Sequence, residues 1–154
     1  MEFSSLLRPE AVKVSASVSS KKRLFQDLGD LAHSAYGVDA SEVADALRAR
    51  ESLGATGVGH GVALPHARLE GLDSVVGAFI LLEKPVDFDA VDREPVDIAF
   101  ALFAPENAGV EHLKALALVS RTLREHSICA KLRANRDAAT LYTILSEAHS
   151  VKAA

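Results

Sequence analysis

The sequence predicts an α/β fold, a single domain in which a β-sheet is covered by helices. Three observations carry this. Residues 75–82 and 98–104 are almost wholly apolar, as strands buried on both faces are. Segments with apolar residues at helical spacing alternate with such strands along the chain. The chain has 154 residues, 49% of them apolar, enough for one compact domain with a substantial core.

In order, Val12, Val14, Ala16 and Val18 alternate with Lys13, Ser15, Ser17 and Ser19, the period of a strand with one wet face. Leu24, Phe25, Leu28, Leu31, Ala32 and Ala35 recur at helical spacing. Ser19 or Ser20 can cap that helix, and Gly37 stands where a left-handed terminator belongs. Asp39-Ala40-Ser41-Glu42 has the form of a capping box for a second helix with Val43, Ala46 and Leu47 inward, closing near Arg50. Residues 51–68 form a glycine-rich stretch, expected as a permissive loop that ends in the fixed φ of Pro65 just before His66. After the apolar strand at 75–82, residues 83–95 are acidic and carry Pro85 and Pro95, which predicts a solvated loop with a short strand at most. From Gly109 a helix is expected with Leu113, Leu116, Ala117, Ser120 and Leu123 on its buried stripe and Arg124 at its negative end. A shorter segment around Cys129 and Leu132 stops near Asn135. Asp137 can cap a last helix that buries Leu141, Ile144 and Leu145, and residues 151–154 read as a frayed tail.

A net charge of −4 with no evident basic patch argues against nucleic acid or an anionic membrane as partner. The N-terminus lacks the pattern of a secretory signal, and the apolar runs fall far short of the roughly 20 residues of a membrane span. No direct membrane insertion is expected, and the single cysteine, Cys129, suits a reducing cytoplasm and a place in the core. Gly57-Val58-Gly59-His60-Gly61-Val62 lacks the third glycine of a dinucleotide fingerprint and the Lys-Ser/Thr end of a P-loop. The G-x-S-x-G, H-E-x-x-H and C-x-x-C patterns are absent as well.

What remains is a set of histidines and an arginine. His33 and His149, on or near helix surfaces, and His126, after the charged end of the long helix, read as structural residues, and His60 as an exposed loop residue. His66 is either an imidazole aimed by a glycine-rich approach and a rigid proline, or an ordinary Pro-His pair. His112 falls in the first turn of its helix, where the dipole attracts anions and favours a neutral imidazole. The same place suits a semi-buried core histidine, and proximity to His66 separates the two readings.

The runs Arg50-Glu-Ser-Leu-Gly-Ala-Thr56-Gly-Val-Gly59 and Gly61-Val-Ala-Leu-Pro65-His66-Ala-Arg68 resemble the signature of the fructose/mannitol/nitrogen-type enzyme IIA domains of the phosphoenolpyruvate-dependent phosphotransferase system. The resemblance continues through Pro85-Val-Asp-Phe-Asp-Ala90 and Ala104-Pro-Glu-Asn-Ala-Gly-Val-Glu-His112-Leu to Leu141-Tyr142. It implies one IIA domain over 1–154, its core at about 6–148, with a mixed β-sheet flanked by helices. It further implies that His66 accepts a phosphoryl group from an HPr-like phosphocarrier, with His112 as its companion and Arg50 and Thr56 as phosphate contacts. The phosphohistidine chemistry calls for no cofactor and no metal. Ala55 stands where many relatives have Ser, so a hydroxyl contact at that position is missing.

An imidazole suits a relay because its nitrogen is nucleophilic near neutral pH and its bond to phosphorus breaks again. Transfer then needs in-line positioning and stabilised charge on the equatorial oxygens. The details resemble the nitrogen-regulatory branch, which implies a free-standing cytoplasmic regulator whose phosphorylation state controls a downstream target. The alternative is a fructose- or mannitol-type IIA that passes phosphate to a separate IIB domain. Outside the family stand a metal-dependent hydrolase using His66 and His112, and a binding module with an unreactive His66.

Overall fold

The computed structural model describes residues 1–16 and 18–153, with side chains described as far as residue 148. The expectations for Ser17, for Ala154 and for the side chain of His149 fall outside that description, and the rest of the tail expected to fray continues α6. A short helix α1 (Phe3–Leu6) leads into β1 (Leu7–Ser15), followed by the paired helices α2 (Lys21–Tyr36) and α3 (Ala40–Glu51). The glycine-rich stretch holds β2 (Gly57–Gly59), β3 (Val62–Ala63) and β4 (His66–Leu69), and the long central strands are β5 (Val76–Val86) and β6 (Val96–Pro105). Three helices complete the chain: α4 (Val110–Leu123), α5 (His126–Arg133) and α6 (Ala138–Ala153).

The sheet is mixed, with six strands in the order β1-β5-β6-β3-β2, and β4 also pairs with β6. β5 and β6 run antiparallel at the centre, while β1 lies parallel to β5, and β3 and β4 both lie parallel to β6. Residues 77–82 and 98–104 are buried without a break, so both faces of the central strands are covered, as their composition predicted. α2 and α6 pack on β1, α3 on β4 and α4 on β6. At the centre Phe100 meets the edges of Phe3 and Phe79, with ring centroids 5.6 and 6.1 Å apart.

The helix ends form as their residues dictate. Ser20 caps α2 by accepting the Arg23 N–H, and Gly37 closes it at φ 76°, a left-handed conformation that costs glycine little. Asp39 caps α3 through the Glu42 N–H at 2.9 Å, and Asp137 accepts the Thr140 N–H at 3.0 Å at the start of α6. Cys129 and Leu132 are buried in α5 and Leu141 and Leu145 in α6, with Ile144 partly covered. Among the described residues no helix is long and apolar enough to cross a membrane.

Five expectations need correction. β1 begins at Leu7 and ends at Ser15, earlier than the alternation suggested. A register shift between Leu7 and Val12 turns both Ala11 and Val12 inward, which breaks the simple period, and the edge position tolerates Pro9. The segment after residue 82 is only in part the expected solvated loop: residues 83–85 and 91–95 are exposed, but the strand runs farther and the segment contributes to the core. β5 continues through Pro85 to pair Val86 with Val96, and Phe88 is 0% exposed, edge-on to Phe25 of α2 at 5.8 Å.

The buried face of α4 is rotated from the leucine stripe. His112, Ala115, Leu118, Val119, Thr122 and Leu123 face inward, while Leu113 is 68% exposed. α3 buries Ala44 beside Val43 and Leu47, with Ala46 only partly covered. The glycine-rich stretch, finally, is a hairpin and not a loose loop. Gly59 pairs with Val62, and the two residues between them, His60 (φ 56°) and Gly61 (φ 79°), make a tight turn with both φ values positive. A side chain at Gly61 would stand 2.6 Å from Arg133 Nη2, which donates to the His60 carbonyl at 2.7 Å and pairs with Asp97. The His60 N–H donates to Asp92 Oδ2 at 2.9 Å, tying the acidic segment to the hairpin.

Candidate active site

The hairpin delivers the chain to β6, where β3 and β4 occupy one edge in succession. Val62 and Ala63 pair with Ile98 and Ala99, and His66 to Leu69 pair with Leu102 to Pro105. Pro65 lies between the two short strands, where its missing N–H costs no ladder bond, and its carbonyl accepts the Leu102 N–H at 2.9 Å. His66 is therefore carried on the sheet itself, half-buried, at the first position of β4.

Its tautomer follows from its partners. Nδ1 lies 2.9 Å from the Leu64 carbonyl, which can only accept, so Nδ1 carries the proton and Nε2 the lone pair. Arg50, in the last turn of α3, donates its Nε–H to that Nε2 at 3.2 Å and its Nη1–H to the Gly54 carbonyl at 3.0 Å. His112 arrives from the first turn of α4, with its ring edge-on to His66 at 5.7 Å and 72°.

His112 is 7% exposed, and its Nε2 is a buried nitrogen without a hydrogen-bond partner. Burial holds its pKa below the usual histidine range, and the charges of His66 and Arg68 add to that effect. A neutral imidazole with an unmet polar atom, beside a ring nitrogen whose lone pair meets only the Arg50 guanidinium, is an arrangement that a phosphoryl oxygen would complete. His112 thus lies beside His66, the proximity that the companion reading requires.

These groups share an open cleft of about 480 Å³, lined by Ala46, Ala49, Arg50, Leu53, His66, Ala67, Arg68 and His112. It holds two arginines and two histidines and no carboxylate, in a chain whose net charge is −4. Such a surface attracts a dianion. A second cleft of about 490 Å³, between α1 and the segment before α4, has Asp73 and Glu111 on its walls and no histidine.

Thr56 is not brought into this cleft. It is 5% exposed, its hydroxyl donates to Glu51 Oε1, and its N–H donates to Glu51 Oε2 at 3.1 Å. The same carboxylate pairs with Lys21 at 3.0 Å, so Thr56 closes the turn after α3 rather than presenting a hydroxyl to a ligand. Ala55 is exposed in that turn. Besides three alanines, the lining includes Arg68 and Leu53, neither of which the sequence reading named as a site residue. Arg68 stands two positions after His66 on one strand, and that alternation was the available signal for a shared face. Leu53, 84% exposed at the rim, gave no signal in the sequence. His60 and His126 form a separate pair, edge-on at 5.4 Å, outside the cleft lining, and His33 Nδ1 lies 2.8 Å from the Val38 carbonyl. Among the described residues no group of three His, Cys, Asp or Glu side chains is placed to hold a metal ion.

Comparison with known proteins points the same way. The family model described as phosphoenolpyruvate-dependent sugar phosphotransferase system, EIIA 2, matches residues 5–148. A nitrogen regulatory protein of Bradyrhizobium diazoefficiens is 44% identical over 146 residues, covering 95% of each chain. The crystal structure of nitrogen regulatory protein IIA-Ntr from Neisseria meningitidis superposes with a TM-score of 0.85 at 39% identity, over 92% of this chain and 97% of that one. Enzyme IIA of the mannitol system, in its Escherichia coli complex with phosphorylated enzyme IIB, has the same fold. There the TM-score is 0.75 and the identity 19%, over 91% of this chain and 98% of that one.

Proposed function

The chain belongs to the EIIA 2 family of the phosphoenolpyruvate-dependent sugar phosphotransferase system, and from that premise we propose that it is a cytoplasmic phosphoryl carrier of the nitrogen-regulatory kind. In this reading His66 Nε2 accepts a phosphoryl group from the phosphohistidine of an HPr-like carrier, and the phosphorylation state controls a partner protein. The observation that carries the reading is the fixed tautomer of His66. Nδ1–H is anchored on the Leu64 carbonyl, and Nε2 faces the cleft between Arg50 and His112.

The transfer balances without moving a proton on His66. The Nε2 lone pair forms the new N–P bond while the bond from phosphorus to the carrier's imidazole breaks and its electron pair returns to the carrier's nitrogen. The Nδ1 proton stays, and the Leu64 carbonyl stabilises the positive charge that the ring acquires. Arg50 must leave Nε2 before attack, and its guanidinium then serves the equatorial oxygens, a better match for its fork than one ring nitrogen. His112, held neutral, donates to the phosphoryl group and is not itself phosphorylated.

Adding a doubly negative group to this cationic cleft reverses the charge a partner meets, and so permits or forbids its binding. Full-length similarity to proteins named nitrogen regulatory supports the regulatory branch. The test is the intact mass after incubation with phosphoenolpyruvate and the upstream proteins. One acid-labile phosphoryl group is expected on the wild type and on His112→Ala at a reduced rate, and none on His66→Ala. Equal labelling of His66→Ala would refute the assignment. Rapid, specific loss of the label to a sugar-type IIB domain would favour the uptake reading over the regulatory one.

A further inference from the structure

Arg68 closes the second signature run and was given no role there, yet it ties together the two segments that carry the two histidines. Its Nη1 donates to the Glu106 carbonyl at 3.1 Å and, more closely, to the Ala108 carbonyl, across 38 and 40 residues of sequence. On one side it is rigid, because β4 pairs with β6 through His66, Ala67, Arg68 and Leu69. On the other side it reaches the short connection between the end of β6 at Pro105 and the start of α4 at Val110.

That connection needs an external hold. The cap residue of α4, Gly109, makes no side-chain hydrogen bond to the first turn. The internal bonds at the junction are the Ala108 N–H to the Pro105 carbonyl at 3.0 Å and a longer one from Leu113 N–H to the Gly109 carbonyl at 3.3 Å. His112 sits in that first turn, and among the described residues its ring makes no hydrogen bond that would orient it. Its place relative to His66 is therefore inherited from the backbone of α4, and the side chain that fixes this backbone to the strand bearing His66 is Arg68.

We propose that Arg68 is a positioning residue for phosphoryl transfer, bracing the segment before α4 so that His112 is held against His66. The proposal rests on the phosphocarrier reading of the site, and it names a role that a lone charge would not fill. Both hydrogen bonds leave one nitrogen, Nη1, which stands one bond farther from the backbone than a lysine ammonium, so an ammonium meets the same two carbonyls only if the strand or the connection shifts. Arg68 also adds positive charge to the cleft, and that charge contributes to keeping His112 neutral. The groups facing His112 are His66 and Arg68 on β4 and Arg50 at the end of α3, with Glu111 and Lys114 paired at 3.8 Å on its own helix.

The test uses the full chain as Arg68→Met and Arg68→Lys. In the unphosphorylated protein, amide hydrogen exchange at Val110, Glu111 and His112 is expected to quicken about tenfold or more in both variants, as the loss of charge-assisted hydrogen bonds implies. The His66–His112 ring contacts seen by NMR weaken in both. The His112 titration midpoint rises in Arg68→Met and stays near that of the wild type in Arg68→Lys. Single-turnover phosphoryl acceptance at saturating carrier falls about ten- to a hundredfold in Arg68→Met, the scale of a misplaced active group. Arg68→Lys recovers only part of that rate. Unchanged exchange in both variants, or full recovery of rate by lysine, would overturn the brace. Because exchange and ring contacts are read without phosphate, a wild type that accepts no phosphoryl group would sink the phosphocarrier reading and leave the brace to be judged by those measurements.

Discussion

Replacing Arg50 by methionine removes the guanidinium and keeps the stem that lies along the cleft. In the free protein Arg50 donates to His66 Nε2 at 3.2 Å and to the Gly54 carbonyl at 3.0 Å. The first bond occupies the lone pair that attacks phosphorus, so it stabilises the ground state. Long and partly solvated, it is worth the low end of a charge-assisted hydrogen bond, about 1.5 kcal/mol. A preorganised donor facing charge that develops in the transition state is worth about 2.7–4 kcal/mol. The difference, about 1.2–2.5 kcal/mol, slows transfer about eight- to seventyfold at about 1.36 kcal/mol per decade. Arg50→Lys, with its charge kept and its fork lost, falls between. The assay is rapid-quench single turnover from the phosphorylated carrier, read by intact mass. Transfer by Arg50→Met at the wild-type rate or faster would make Arg50 only a cap on the nucleophile and refute the reasoning.

Three further outcomes are expected. Since burial holds the folded His112 below the usual histidine range, the unfolded chain takes up its proton first, and stability falls as pH drops through about 6.5 toward the folded-state value. Urea midpoints measured at about pH 7.5 and 5.5 should differ less in His112→Asn than in the wild type. Thr56→Val leaves one oxygen of the buried Glu51 carboxylate without its donor and should lower stability by about 1–3 kcal/mol, while Thr56→Ser stays close to wild type. A transfer defect in Thr56→Val without loss of stability would instead restore the direct phosphate contact. Phe88→Ala should cost about 3–5 kcal/mol in urea unfolding, because the ring is fully buried against Phe25, whereas a solvated segment would give almost nothing.

The parts of the fold legible in the sequence were those fixed by local chemistry. Ser20, Gly37, Asp39 and Asp137 announced helix ends because capping uses atoms three or four residues apart, and the unbroken apolar runs announced strands covered on both faces. What stayed hidden depended on distant partners. The run Gly57 to Gly61 suits a loose loop and a tight hairpin equally well, and only the clamp from Arg133 and Asp92 selects the hairpin. Leucine spacing misplaced the inward face of α4, because His112, Ala115 and Thr122 are buried while Leu113 is left at the surface. His66, His112 and Arg50 were legible through the resemblance and meet in one cleft. Thr56 stands apart from them because its hydroxyl is engaged by Glu51, a neighbour in the same turn, and no pattern of residue types reveals which partner a hydroxyl has taken.

A relay residue has to give up what it accepts, so the free and phosphorylated states must lie close in energy. Each 1.4 kcal/mol of imbalance shifts their ratio about tenfold. The cleft is arranged to limit that imbalance. Arg50 is already bonded to His66 Nε2 in the free state, so phosphorylation exchanges a guanidinium contact instead of creating one from nothing. His112 contributes from the other side without a second fixed charge, because burial keeps it neutral. The one carboxylate adjoining Arg50 in sequence, Glu51, would repel a dianion if it stood free. It is instead neutralised by Lys21 at 3.0 Å and held by both donors of Thr56, turned away from the cleft. The Glu51–Thr56 pairing thus has an electrostatic consequence beyond closing a turn. It keeps negative charge out of a site whose charge is to be set by the phosphoryl group alone, and a partner that reads this surface then meets two clearly different states.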